Sequence, residues 1–274
     1  MKIYHVLIML TILTTGLFLQ NTADADSHAD PIKAELEKSP RHGEWVKITV
    51  SDEHVVNAFI VFPEVKEPAT AIIVIHEIFG LTDWIRLVAD RLAADGYVAI
   101  CPDLLSGMGP DGGGTDSFES GDDVRRAIRN LSKERVNTDL DAVRKYVSDL
   151  PSTNDKVAVS GFCWGGARTF QYAVHTDEIV GAFVFYGSPP TVEDLPKISV
   201  PVYGFYGEND NRINATIDAT KEAADAAEVT YQPVIYEDVG HGFLRRGMMD
   251  DASDTQKAAV KSAWERWIKL LGEL

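Results

Sequence analysis

The stretch KVAVSGFCWGGA, residues 156–167, decides the predicted fold of this chain. The apolar run that ends at Phe162 predicts a strand, and the residues after Cys163 predict a helix. Glycines stand two residues before and two residues after the cysteine. Because glycine has no Cβ, Gly161 and Gly165 let the strand and the helix pass close to one another. The pattern therefore predicts a strand, a sharp turn and a helix, with Cys163 presented at the turn.

The spacing G-x-C-x-G is that of a nucleophile elbow in which cysteine takes the place of serine. We expect Cys163 to have a strained backbone at the top of a sheet, with an exposed side chain above the N-terminus of the next helix. The dipole of that helix favours the thiolate over the thiol. The alternative is a small residue buried in a tight turn with no chemical role.

The rest of the chain alternates strand-like and helix-like segments. Two short runs, EWVKITV from residue 44 and HVVNAFIVF from residue 54, predict an antiparallel pair. Later runs such as ATAIIVIHE, from residue 69, are continuously aliphatic, as in strands buried on both faces. Each is followed by apolar residues at helical spacing. We therefore predict one α/β domain over residues 42–274, with an α/β-hydrolase fold: a mostly parallel sheet of about eight strands with helices on both faces.

The first 25 residues have the pattern of an export signal. Lys2 precedes an apolar run at residues 6–19 and a small-x-small cleavage pattern, ADA, at residues 23–25. The run is shorter than the about 20 residues that a membrane span needs. We predict a signal peptide at residues 1–25, with an uncleaved anchor as the alternative, and a polar, poorly ordered lead-in at residues 26–41. The expected location is periplasmic or secreted.

The acidic balance of the chain limits its partners. The formal net charge is −16, whereas nucleic-acid binding needs a cationic face that releases counterions. An anionic membrane surface is disfavoured for the same reason. We expect no nucleic acid as a partner, no stable membrane association once the signal is cleaved, and a monomer.

Two later loops carry the other groups that an elbow needs. Asp210 follows the strand-like run VPVYGFYG, and His241 follows TYQPVIYED. Both lie at the carboxyl ends of predicted strands, where open α/β sheets place their sites, and in the order nucleophile, acid, histidine. We predict that His241 transfers the proton and that Asp210 fixes its tautomer, with Glu208 as the competing acid.

The motif HEIFG, residues 76–80, ends the third predicted strand. In this fold that loop supplies one oxyanion donor beside the N–H that follows the nucleophile. The candidates are therefore the backbone N–H groups of Ile78 and Trp164. Glu77 is the unusual residue, because a carboxylate aimed at the elbow would hydrogen-bond the thiol or control its ionisation. A surface salt bridge is its alternative role.

Taken together, these segments resemble the dienelactone hydrolase family. The resemblance extends from about residue 45 over nearly the whole chain, and the motifs that carry it are HEIFG, CPDL (101–104), GFCWGG, END (208–210) and GHGF (240–243). It implies a single α/β-hydrolase domain without metal or organic cofactor. It also implies the opening of an unsaturated lactone that bears a carboxylate, through a thioester on the cysteine.

The resemblance also implies residue roles. Cys163 would be the nucleophile, His241 its base partner and Asp210 the orienting acid. Glu77 would keep the thiol unreactive until substrate binds and would then accept the thiol proton. Arg245, four residues after the histidine, matches a family arginine that binds the substrate carboxylate, for which forked donors are suited.

Other family positions leave alternatives open. A second carboxylate-binding arginine falls near DDVRRAIRN, where Arg125 and Arg126 are candidates, or neither serves. Tyr186 lines the pocket or belongs to the core. The alternative functions are an exported, broader carboxylesterase without dienelactone activity and a non-catalytic binding protein on the same fold.

Cys101 ends the strand-like run YVAIC. In this fold the third strand lies between the strands of Cys101 and Cys163, so two strand spacings of about 4.8 Å separate them. That exceeds the about 7 Å limit between Cα atoms in a disulfide. We therefore predict that Cys101 is a small buried strand residue.

Overall fold

An eight-stranded sheet forms the centre of the structure, a computed structural model that describes residues 31–274. The predicted export signal at residues 1–25 lies outside the described residues. The strands are β1 (Gly43–Ser51), β2 (His54–Val61), β3 (Ala69–Ile75), β4 (Val98–Pro102), β5 (Thr153–Phe162), β6 (Gly181–Phe185), β7 (Val202–Gly207) and β8 (Tyr231–Tyr236).

The strand order is β1-β2-β4-β3-β5-β6-β7-β8. Strand β2 pairs antiparallel with β1 and β4, and the remaining neighbours are parallel. This order confirms the predicted mostly parallel sheet. It also places β3 between β4 and β5, so Cys101 and Cys163 stand on strands that are not neighbours. Both cysteines are free, and Cys101 is buried as predicted.

Helices cover both faces of the sheet: α1 (Pro31–Glu37), α2 (Asp83–Ala94), α3 (Gly121–Arg129), α4 (Lys133–Ser148), α5 (Trp164–His175), α6 (Asn211–Asn214), α7 (Ile217–Ala226), α8 (Phe243–Gly247) and α9 (Asp254–Gly272). None of these helices of the described part combines the length and the apolarity needed to cross a membrane.

Strand β3 shows why its sequence is continuously aliphatic. Ile72 and Val74 belong to the apolar cluster that contains α2 and Trp267 of α9. Ile73 belongs to the cluster on the opposite face, with residues of α4 and α5. Successive side chains of a strand point to opposite faces, so a strand covered on both sides needs an apolar residue at every position.

The described part of the predicted lead-in, residues 31–41, contains helix α1, where the polar composition had predicted poor order. Helix α1 packs on α2, where the Arg91 guanidinium lies 2.9 Å from the Glu35 carboxylate. Arg41 donates through Nε to the buried carboxylate of Asp90 at 2.9 Å. The polar composition of the lead-in suggested solvation. Its charged side chains instead pair with opposite charges on α2, which only the folded chain brings within reach.

After β7 the chain forms two separate helices, the short α6 and then α7. The Asn214 side chain donates to the backbone carbonyls of Gly207 and Glu208, at 2.9 Å each. These bonds hold the single turn of α6 against the end of β7, so α7 begins afresh at Ile217. The arrangement fixes the loop that carries Asp210.

The elbow has the predicted geometry. Cys163 caps the N-terminus of α5 with φ 56° and ψ −114°. A Cβ on Gly161 would lie 2.3 Å from the carbonyl oxygen of Gly165, and a Cβ on Gly165 would lie 2.4 Å from the carbonyl oxygens of Ile75 and His76. The strand–helix crossing is therefore closer than any side chain at these two positions would allow.

Replacing Gly165 tests this close approach. We expect Gly165→Ala to lower the free energy of unfolding by about 3 kcal/mol, because the new methyl group meets backbone atoms of β3 that cannot move separately. Urea denaturation followed by circular dichroism measures the change. Gly272→Ala is the matched control, since nothing lies within 4 Å of a Cβ built there, and it should stay within about 1 kcal/mol of the wild type. Equal stability of the two variants would contradict the packing argument.

Candidate active site

The Cys163 side chain is half-buried at the crest of the sheet, between β5 and α5. Its backbone N–H donates to the carbonyl of Phe185 at 3.0 Å, which ties the turn to the end of β6. The backbone N–H groups of Ile78 and Trp164 lie beside its sulfur and stabilise the charged form. The structure thus brings both predicted oxyanion donors to the predicted nucleophile.

The resting thiol is protonated, because the pKa of Cys163 lies above its ordinary value. Burial is the largest cause, and the negative charge of Glu77 is the second. The N–H groups of the turn and the charge of Arg212 act in the opposite direction without reversing the shift. The helix N-terminus was expected to favour the thiolate; desolvation and the neighbouring carboxylate outweigh it here.

Asp210 and His241 form a pair at the ends of β7 and β8. Oδ2 of the buried Asp210 lies 2.5 Å from Nδ1 of His241, and Glu208 instead accepts from the backbone N–H of Asp238 at 3.0 Å. A carboxylate on Nδ1 holds the proton there and leaves Nε2 as the basic nitrogen. Among residues 31–274 this is the one hydrogen bond that the His241 ring makes.

Glu77 is a buried carboxylate whose hydrogen bond goes to Arg245. Nε of Arg245 donates to Oε2 of Glu77 at 2.8 Å, and the carboxylate side chain is only 4% exposed. Burial raises the pKa of Glu77, while the Arg245 charge lowers it. The expected hydrogen bond from the thiol to Glu77 is not the resting arrangement; Glu77 acts on Cys163 through its charge.

Tyr186 packs under this group of side chains rather than lining an open pocket. It is fully buried, with φ 42°, and its ring meets the His241 ring edge-on at 5.1 Å. Its hydroxyl approaches Glu77 closely enough to lower the pKa of that carboxyl, yet it completes no well-aligned hydrogen bond among the described residues. The predicted alternatives for Tyr186 were a position lining the pocket and a position in the core, and its full burial favours the core.

The structure does not bring the candidate arginines of α3 to the site. Arg125 pairs with Asp122 and Arg126 with Asp123, each one helical turn earlier. Neither side chain contacts the triad. The arginine whose charge reaches the Cys163 thiol is Arg212, which sequence reasoning missed. The available signal was its position two residues after the triad acid.

His76 was also missed, and it braces the loop that carries Ile78. The ring is fully buried; Nδ1 lies 2.8 Å from the Glu77 carbonyl, and the Leu104 backbone N–H lies 3.3 Å from Nε2. Burial lowers the pKa of His76, so the ring is neutral, accepting from Leu104 and donating to Glu77. The ring also stacks on Trp164 at 5.5 Å. These contacts fix the backbone on both sides of the sulfur.

The Gly-rich loop between β4 and α3 supports the same region. Asp103 accepts from the backbone N–H and the hydroxyl of Thr115, at 2.7 Å each, and the hydroxyl of Thr115 accepts from the Leu81 N–H at 3.1 Å. A Cβ on Gly80, where φ is +75°, would collide with Thr115.

Within the described residues, no three His, Cys, Asp or Glu side chains form a metal-binding group.

The pH dependence of Cys163 alkylation tests this charge balance. We expect wild-type Cys163 to react slowly with iodoacetamide at pH 7.5, with a midpoint above that of free cysteine. Glu77→Gln removes a negative charge and leaves the Arg245 cation unpaired, so the thiol pKa falls and the rate at pH 7.5 rises several-fold. Mass spectrometry of the Cys163 peptide measures the rates.

The matched control is Glu208→Gln, because Glu208 is an exposed carboxylate on a nearby loop that does not act on the thiol. It should leave both rate and midpoint unchanged. A wild-type thiol that reacts like free cysteine, with no response to Glu77→Gln, would contradict the assignment of Glu77.

Comparison with known proteins supports the same interpretation. The dienelactone hydrolase family matches residues 56–274 of this chain. A carboxymethylenebutenolidase from Pseudomonas putida is 29% identical over 237 residues, covering 84% of this chain and 97% of the relative. A candidate carboxymethylenebutenolidase from Methylorubrum extorquens is 32% identical over 210 residues, covering 72% of this chain and 71% of the relative.

Solved structures share the fold. The crystal structure of a candidate dienelactone hydrolase from Klebsiella pneumoniae has a TM-score of 0.75 at 25% identity, covering 85% of this chain and 99% of that chain. The dienelactone hydrolase from Anabaena variabilis has a TM-score of 0.61 at 16% identity, covering 82% and 96%, which shows a common fold alone. With most of its length matched by the family, this chain belongs to the dienelactone hydrolase family and is a hydrolase.

Proposed function

We propose that this protein hydrolyses a lactone or small carboxylic ester through a thioester on Cys163. The observation that carries the proposal is the position of the sulfur between the N–H groups of Ile78 and Trp164. Those donors suit the negative oxygen of a tetrahedral intermediate, which forms when a nucleophile attacks a carbonyl carbon. The His241–Asp210 pair at the same edge of the sheet provides the proton transfers.

The first half of the reaction forms the thioester. The Cys163 thiol gives its proton to Glu77, and the sulfur attacks the carbonyl carbon of the substrate. The C–O bond to the leaving group then breaks, and the leaving oxygen takes the proton that Glu77 holds; the proton that His241 later takes from water restores the thiol. Glu77 can accept the thiol proton once Arg245 moves away, because burial without a counter-ion raises the basicity of a carboxylate. A substrate anion that competes for Arg245 would produce that change.

The second half hydrolyses the thioester. Nε2 of His241 removes a proton from water, and the water oxygen attacks the thioester carbonyl. The imidazolium that forms is stabilised by the Asp210 carboxylate 2.5 Å from Nδ1. Breakdown of the intermediate releases the carboxylic acid, and the sulfur recovers its proton. The resting thiol, protonated again, is protected from adventitious reaction until the next substrate binds.

The substrate range divides this proposal into two candidates. Arg245 at the site, with Phe79 beside it at 5.3 Å, supports a carboxylate-bearing lactone. The export pattern of residues 1–25 supports the second candidate, an exported carboxylesterase of broad specificity without dienelactone activity. We propose export for both candidates, to the periplasm or the medium, with small-molecule substrates and no metal.

Two substrates and two variants test the mechanism. The wild type should hydrolyse a dienelactone and p-nitrophenyl acetate, and Cys163→Ala should lose about 1,000-fold or more in kcat/KM on both, because the nucleophile is gone. Cys101→Ala is the matched control, since it removes the buried thiol of β4 and should retain activity. Initial rates at pH 7.5 measure the effects.

The outcomes separate the candidates. Hydrolysis of the acetate alone selects the broad esterase. A wild type inactive on both esters, or full activity in Cys163→Ala, would contradict hydrolysis at Cys163 and favour a binding protein or a different nucleophile.

A further inference from the structure

We infer that Arg212 is a specificity-determining residue that binds a carboxylate group of the substrate at the mouth of the site. The inference rests on the proposed function, because it concerns the substrate of the same thiol. It assigns to α6 a role that the sequence analysis placed on α3.

The backbone holds Arg212 in a fixed place next to the triad. Arg212 lies in α6, two residues after Asp210, and the N–H groups of Ile213 and Asn214 both donate to the Asp210 carbonyl, at 3.1 and 2.9 Å. Ile213 is buried beneath the turn, while Arg212 is exposed. These bonds fix the backbone of Arg212 next to Asp210, and its exposed side chain is open to a ligand from solvent.

The charge of Arg212 reaches the reacting sulfur. Its charge favours the charged form of Cys163, by less than the effects of burial, of Glu77 and of the two N–H groups. Arg245 is already paired with the buried Glu77 carboxylate nearby. An anionic group of a substrate whose carbonyl lies on the sulfur would therefore come within the field of Arg212.

Arg212 is also free to bind. Within residues 31–274 it has neither an ion-pair nor a hydrogen-bond partner, whereas Arg245 is held by a carboxylate that is 4% exposed. A substrate carboxylate that binds Arg245 would leave the buried Glu77 charge without its partner, which is costly in free energy. A carboxylate that binds Arg212 would break no existing ion pair. On a chain with a net charge of −16, an unpaired cation at the site also attracts anions locally.

The ligand class follows from the chemistry of guanidinium. Its planar donors pair with a carboxylate through two parallel hydrogen bonds, and a lysine ammonium reproduces the charge without that geometry. We therefore assign to Arg212 the binding of an ester or lactone that carries a carboxylate. Arg212 makes the first contact with this carboxylate while Arg245 is still paired with Glu77, and the bound anion then competes with Glu77 for Arg245, which is the change that the thioester step requires.

Alkylation of the thiol by a charged and a neutral reagent tests the inference without any hydrolysis. Iodoacetate and iodoacetamide share a leaving group and differ in charge, so the ratio of their rates on Cys163 is independent of the thiol pKa. We expect Arg212→Gln to lower the iodoacetate-to-iodoacetamide ratio about fivefold. Arg212→Lys should keep most of the wild-type ratio. The control is Arg246→Gln, because Arg246 is an exposed arginine paired with Asp251.

Ester kinetics give the second reading. With mono-p-nitrophenyl glutarate, Arg212→Gln should raise KM about tenfold, whereas KM for p-nitrophenyl acetate should not change. An unchanged alkylation ratio, an equal fall in Arg246→Gln, or a KM increase confined to Arg125→Gln would overturn the assignment. If the wild type hydrolyses neither ester, the proposed function fails, and the alkylation ratio still decides the role of Arg212.

Discussion

The close crossing of β5 and α5 at Cys163 is the constraint on which the site depends. The cysteine has φ 56°, a left-handed conformation that costs a non-glycine residue about 1–3 kcal/mol. The crossing is possible because Gly161 and Gly165 present no side chain to the carbonyls of Ile75 and His76 or to each other. The backbone of Ile75 and His76 continues directly into the loop that contains Ile78. The packing that strains the turn at Cys163 therefore also places the Ile78 N–H group beside the sulfur.

Opposing charges around the sulfur explain how a reactive thiol can be held at rest. Burial and the Glu77 carboxylate keep the proton on Cys163, while two N–H groups and Arg212 favour its removal. Arg245 neutralises Glu77 and so limits its effect. The ionisation of Cys163 therefore depends on whether Arg245 is paired with Glu77 and on the charge of Arg212. A negatively charged substrate would change both interactions. With the proposed export, a protonated resting thiol would also resist oxidation, since the thiolate is the form that oxidants attack.

Local patterns in the sequence predicted most of the fold, the turn at Cys163 and the pairing of Asp210 with His241. Continuous aliphatic runs identified buried strands such as β3, and the glycine spacing identified the turn at Cys163, because both depend on neighbours in the chain. The pairing of Glu77 with Arg245 joins residues 168 positions apart, and no local pattern shows it. For the ionisation of Cys163, the sequence showed the helix N-terminus, which favours the thiolate, and the resemblance pointed to Glu77 as the group that keeps the proton on the sulfur. The sequence did not show burial, which is the largest cause of the raised pKa. The family pattern offered Arg125 or Arg126, or neither, as the second arginine, and it gave no reason to consider Arg212, two residues after Asp210.

The central claim is that the acyl group of the substrate becomes bonded to the Cys163 sulfur. Acid quenching of the wild type within milliseconds of mixing with a p-nitrophenyl ester, followed by mass spectrometry of its peptides, measures this directly. The account predicts a burst of nitrophenolate together with the acyl mass on the peptide containing Cys163. A burst with that peptide unmodified, or with the acyl group on a different side chain, would contradict it.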